Sequence, residues 1–116
     1  MNDYYDVTLK KVRLKKLKKN IKFYFYRGLV QSEDLLESIF LKHKPKVVVH
    51  LAAQAGVRYS IDNPSSYVES NLIGTFQILE TGRKYSLKHL LIASTSSVYG
   101  NSKDMPFNEN QSANAP

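Results

Sequence analysis

From residue 6 to residue 93, segments of helical period alternate with short β-rich runs, and this alternation most narrows the folds open to the chain. Residues 6–19 carry Val7, Leu14 and Leu17 at helical spacing, which would face a core. Ile21 to Tyr26 (IKFYFY) is rich in β-branched and aromatic residues and is predicted as a strand. Ser32 is a good helix cap, and Glu33 and Asp34 behind it suit the positive end of a helix. Leu35, Leu36, Ile39 and Phe40 share one side of that helix, which runs to about His43 before Pro45. Lys46–Leu51 is apolar after its lysine, as in a strand covered on both faces. Asn63–Pro64 then opens a long helix to about Tyr85, with Tyr67, Leu72, Ile73, Phe76 and Leu79 on its buried side. Leu87–Ala93 is the third predicted strand, and residues 101–116 are predicted to be irregular.

The order α-β-α-β-α-β with short connections predicts an α/β fold, a parallel sheet flanked by helices and joined by right-handed crossovers. A length of 116 residues allows one domain over 1–116. Ligands of such sheets bind beyond the carboxyl ends of the strands. Two small or hydroxyl-rich segments fall there: His50–Ser60 and Ala93–Gly100.

In the first, HLAAQAGVRYS, small side chains let an extended ligand approach the backbone. Arg58 suits a diphosphate or carboxylate, or is an exposed arginine of a tight connection. In the second, ASTSSVYG, four consecutive hydroxyls can orient a sugar hydroxyl or relay its proton. They can equally satisfy backbone groups at a strand end. Asn71 is a poor helix-interior residue, which points to a specific hydrogen bond or to a water-facing position. His43, His50 and His89 share no metal-ligand spacing, so no metal is assigned; His50, closing a strand, reads as a hydrogen-bonded structural histidine.

The absence of cysteine excludes disulfides and thiolate chemistry. No apolar run reaches bilayer length, and the opening MNDYYDVTLKK lacks the apolar stretch of a signal peptide, so a cytoplasmic protein is expected. The net charge of +7 is concentrated in Lys10, Lys11, Arg13, Lys15, Lys16, Lys18 and Lys19. A solvated basic helix face accounts for that cluster, and a nucleic-acid stripe is the alternative.

Taken together, HLAAQAGVRYS, NPSSYVESNLIGT, ASTSSVYG, MPFNEN and NDYYDVTLK resemble the extended short-chain dehydrogenase/reductase family, the NAD-dependent epimerases and dehydratases. Within it they are closest to the UDP-glucuronate (or UDP-galacturonate) 4-epimerases, over nearly the whole chain. The resemblance implies a partial Rossmann-like fold with NAD as cofactor and a nucleotide sugar as substrate. Leu51, Ala52, Ala53 and Gln54 would lie along the NAD, Asn71 would hold the loops around it, and Ala93 and Ser94 would pass near the nicotinamide ribose. Thr95 matches the catalytic Ser/Thr that hydrogen-bonds the sugar 4-hydroxyl. Ser96 and Ser97 would contact the hexuronate, with Arg58 on the substrate side. Epimerisation in such enzymes removes hydride from C4, turns the 4-keto sugar over and returns the hydride to its other face.

The chain departs from the family pattern at several points. The first strand with its glycine loop is absent, and the acidic residue that grips the adenosine ribose would precede Met1. Arg27-Gly28-Leu29-Val30 stands where an aspartate is expected after the third strand. The resemblance puts the tyrosine–lysine pair beyond Pro116. The chain is therefore expected to be a central portion of an epimerase, inactive by itself, or else a non-catalytic remnant or interaction module of the same fold. Without the first strand, self-association through unpaired edges is expected.

Overall fold

A computed structural model describes residues 4–101 and 105–113. Asn2 and Asp3 of the opening motif, and the end of the predicted irregular segment at 114–116, lie outside the described residues. The first helix, α1 (Val7–Leu17), is started by Asp6, whose carboxylate accepts the Thr8 N–H at 2.7 Å. Lys15 and Lys16 sit in its last turn, where positive charge meets the exposed carbonyls. Helix α2 (Glu33–His43) begins and ends as its sequence requires, with Glu33 and Asp34 in the first turn and Lys42 and His43 in the last. Ser32 occupies the cap position, although its side chain makes no capping bond. Lys44 closes the helix in a left-handed conformation, its N–H donating to Phe40 C=O at 2.9 Å.

Strands β1 (Val47–His50) and β2 (His89–Ile92) form a parallel pair in the register Val47↔His89, Val48↔Leu90, Val49↔Leu91 and His50↔Ile92. Ala93 N–H continues the ladder to His50 C=O at 3.1 Å. Both strands thus end side by side, and the loops that follow them leave from one edge. Between the strands run α3 (Tyr59–Asp62), α4 (Pro64–Tyr67), a π-helical turn (Val68–Ile73) and α5 (Gly74–Lys84). A short 3₁₀ turn, Ser96–Tyr99, follows β2, and residues 105–113 form no regular element.

The core lies where α2 meets α5: Leu36, Phe40 and Ile78 are its buried hydrophobic residues, with Thr81 and Gly82 beside them. Phe40 and Tyr85 have ring centroids 5.8 Å apart, and a Lys84–Glu37 ion pair ties the two helices at the surface. Gly74 lets α5 start against Val30; an added Cβ would come within 2.5 Å of the valine side chain. The radius of gyration is 16.7 Å, against about 13 Å for a compact domain of this length. Much apolar surface consequently stays in water. Among the described residues no helix is long and apolar enough to cross a membrane.

Four expectations are corrected. Residues 21–26 form no strand: the sheet among the described residues has two strands, and this segment has no ladder to join. Asn20 turns the chain by accepting Lys22 N–H at 2.9 Å, and the rings of Tyr24 and Tyr26 pack on His43 instead. The β1 run is not covered on both faces, since Val47 and Val49 are each more than half exposed in a two-stranded sheet. Leu17 is exposed, and α1 buries no residue, while Val7 and Leu14 line a groove facing Phe25–Gly28. Finally, the long helix after Asn63 is not uniform. A π turn accommodates an extra residue, which at 3.6 residues per turn rotates the following side chains by roughly 100°. Leu72, Ile73, Phe76 and Leu79 are exposed, and Gly74, Ile78, Thr81 and Gly82 take the buried positions, on the face of α5 that meets α2.

Candidate functional site

Because β1 and β2 end in register, Leu51–Gly56 and Ala93–Thr95 become the two walls of one cleft of about 590 Å³. Asn71 in the π turn and Thr75 at the start of α5 close its floor together with His50 and Ile92. None of the lining residues is aspartate, glutamate, lysine or arginine. His50, buried at the strand end, pairs through Nε2 with the Thr75 hydroxyl at 3.0 Å, as expected of a structural histidine.

Asn71 makes the most informative contact. Its Oδ1 accepts the Gln54 backbone N–H at 2.7 Å, and its Nδ2 donates to the Gln54 C=O at 3.1 Å. One side-chain amide thus meets both backbone groups of a buried residue, whose polar groups need partners. The specific hydrogen-bonding reading of Asn71 is the correct one, and the π turn that holds it explains why a poor helix former sits there.

The next two residues of the loop are held from the same helix. The Tyr67 hydroxyl donates to Ala55 C=O at 2.9 Å and is also close to Gly56 C=O. Desolvation, followed by the nearby Tyr4 phenol, raises the Tyr67 pKa above its ordinary 10.0, so the hydroxyl keeps its proton at neutral pH. Gly56 adopts φ +99°, and an added Cβ would fall 2.0 Å from the Tyr4 hydroxyl. Gly56→Ala is expected to cost about 1–3 kcal/mol for backbone strain alone. Urea denaturation measures this, and an unchanged midpoint would contradict the loop conformation.

Of the residues singled out from sequence, Leu51, Ala52, Ala53, Gln54, Asn71, Ala93, Ser94 and Thr95 meet in the cleft. Arg58, exposed at the start of α3, and Ser96 and Ser97, in the 3₁₀ turn, do not line it. Thr95 caps that turn: its Oγ1 accepts Ser97 N–H at 3.2 Å and lies 3.3 Å from Ser97 Oγ. Strand-end hydroxyls satisfying backbone is thus part of what this segment does. Ala55 and Gly56, which belong to the small-residue segment, line the cleft as well, and Thr75 and Ile92 join the lining without a sequence signal that marks them. One Tyr-x-x-x-Lys spacing does exist in the chain, from Tyr99 to Lys103. Tyr99 stacks on Phe107 at 5.0 Å, outside the cleft lining, and Lys103 lies outside the described residues.

The sequence pattern of the GDP-mannose 4,6 dehydratase family matches residues 3–116. A UDP-glucuronate 4-epimerase of Thermodesulfobacterium geofontis is 44% identical over all of this chain and 36% of its own length. The crystal structure of UDP-glucose 4-epimerase from Thermotoga maritima, with UDP-glucose, superposes with a TM-score of 0.70 at 37% identity, covering 80% of this chain and 31% of that one. The UDP-glucose 4-epimerase of Thermus thermophilus, in complex with NAD, gives 0.69 at 32% identity, covering 78% and 30%. The chain spans about a quarter to a third of the length of curated relatives it matches, from 26% to 36%. Because that family pattern matches residues 3–116, nearly the whole of its length, this chain belongs to the GDP-mannose 4,6-dehydratase family of NAD-dependent epimerases and dehydratases.

Proposed function

We propose that this chain forms one wall of the NAD and nucleotide-sugar site of a 4-epimerase acting on a UDP-hexuronate. The observation that carries the proposal is the single cleft between the two strand ends, with the Leu51–Gly56 loop held by Asn71. The residues suit the cofactor: Ala52, Ala53, Ala55 and Gly56 leave a wall nearly without side chains, open to a flat ring or a ribose. A lining without formal charge favours the ribose and nicotinamide over the diphosphate. Bound there, NAD supplies an acceptor and donor of hydride for C4 of the sugar.

The chain's own contribution is orientation. Leu51, Ala52, Ala53 and Gln54 flank the cofactor, Ala93 and Ser94 bound it from the β2 side, and Asn71 keeps the first group in place. Thr95, exposed at the cleft wall with its oxygen oriented by the cap to Ser97, hydrogen-bonds the sugar 4-hydroxyl and holds its proton. Ser96, Ser97 and Arg58 approach from the hexuronate side. The lining holds no tyrosine, lysine, aspartate or glutamate, and its one histidine, His50, is buried at the strand end against the Thr75 hydroxyl. The chain by itself is accordingly expected to show no interconversion of UDP-glucuronate and UDP-galacturonate.

Titration of the isotopically labelled chain with NAD, followed by NMR, tests the reading. Resonances of residues 51–56 and 93–95 are expected to shift while those of α1 stay fixed. Shifts confined to the basic helix, or turnover of UDP-glucuronate by this chain alone, would refute the proposal.

A further inference from the structure

The loop that builds the cleft wall carries a mechanical problem. Ala52, Ala53, Ala55 and Gly56 have almost no side chains with which to anchor themselves, and glycine loses more freedom on ordering than any other residue. A wall thinned for a ligand must be stiffened from behind. From the reading of this cleft as the cofactor wall, we infer that Tyr67 is a positioning residue: its single O–H, shared between the Ala55 and Gly56 carbonyls, holds the loop so that Asn71 can grip Gln54.

Three consecutive residues are involved, and two side chains of one helix hold them. Tyr67 ends α4 and Asn71 lies in the π turn, four positions on. Asn71 meets Gln54, and Tyr67 meets Ala55 and Gly56. The phenol is itself held in an aromatic row, with Tyr59 at 6.3 Å from Tyr67 and Tyr4 at 4.9 Å from Tyr59 between ring centroids. Tyr4 also reaches Gly56, so the row backs the loop where φ is positive. Tyr67 is not among the cleft-lining residues and acts through the backbone of those that are.

The test is Tyr67→Phe in the full chain, which keeps the ring and removes the donor, with Tyr59→Phe as control. In the Tyr67 variant the carbonyl ¹³C resonances of Ala55 and Gly56 are expected to move upfield. The Gln54 amide is expected to exchange roughly tenfold faster relative to the β1–β2 ladder amides, as loss of one hydrogen bond implies. Tyr59→Phe should leave both readings unchanged. Unmoved carbonyls, an unchanged Gln54 exchange ratio, or loss of protection spread equally over the ladder would each overturn the inference. No ligand is needed, so a failed NAD titration of the wild-type chain counts against the proposed function and leaves this result standing.

Discussion

Phe40→Ala is expected to abolish cooperative thermal unfolding, leaving a broad, non-sigmoidal circular-dichroism trace at 25 °C and above. Truncating a buried phenylalanine costs about 3–5 kcal/mol, and ordinary domains have only about 5–15 kcal/mol in total. This chain starts with less to lose. Among the described residues the buried hydrophobic ones are Leu36, Phe40 and Ile78, and Phe40, 3% exposed, is the most enclosed of them. Removing it also separates α2 from Tyr85 at the end of α5, and so detaches the helix that carries Thr75 from its support. A sharp melt within a few degrees of wild type would show that the core lies elsewhere.

The second large effect is expected at Asn71. Asn71→Ala leaves the N–H and C=O of buried Gln54 without their partners. At about 1–3 kcal/mol for each buried group left unmet, the loss over the two groups is roughly 2–6 kcal/mol, read as a lower denaturant midpoint. Asn71→Asp separates the two contacts. Ionised, the carboxylate still accepts from Gln54 N–H but faces Gln54 C=O with negative charge. Protonated, it donates to that carbonyl and restores both contacts. The folded state therefore favours the neutral acid and raises its pKa above the ordinary value near 3.9. The folded protein then binds the proton more tightly than the unfolded chain, so the variant is closest to wild type at low pH and falls behind as pH rises through the raised pKa. A difference from wild type that is independent of pH between 3 and 7 would contradict the two-contact geometry.

Much of this cleft is legible in the amino-acid sequence. The α2 boundaries follow from the acidic first turn, the basic last turn and Pro45, because helix ends are set by local charge and by residues that cannot continue the helix. The two strands and their shared edge follow from the apolar runs and from the parallel pairing that the intervening helix imposes. Asn71 stood out because a helix interior rejects asparagine unless something else claims its amide. The failures have a common cause, which is that local pattern does not report the partner. Ile21–Tyr26 has strand composition, but a strand exists only with a neighbour to bond, and among the described residues this segment has none. Val47 and Val49 look like buried strand positions for the same reason, and they remain exposed beside a single neighbour. Thr75 escaped notice because its role depends on His50, 25 positions away.

The π turn at Val68–Ile73 has a consequence for how this chain tolerates change in length. Tyr67 before the turn and Asn71 within it face the loop, while Ile78 and Thr81 beyond it lie on the buried face of α5, which packs on α2. Deleting one residue within the turn would let the backbone relax into an ordinary α-helix, which is locally favourable. It would also put the two ends of the helix out of phase, so that either the loop or the core loses its partner. The segment is thus open to many substitutions on its exposed side and closed to single-residue insertions and deletions, and the spacing from Asn71 to Ile78 is as much a part of the site as the residues themselves.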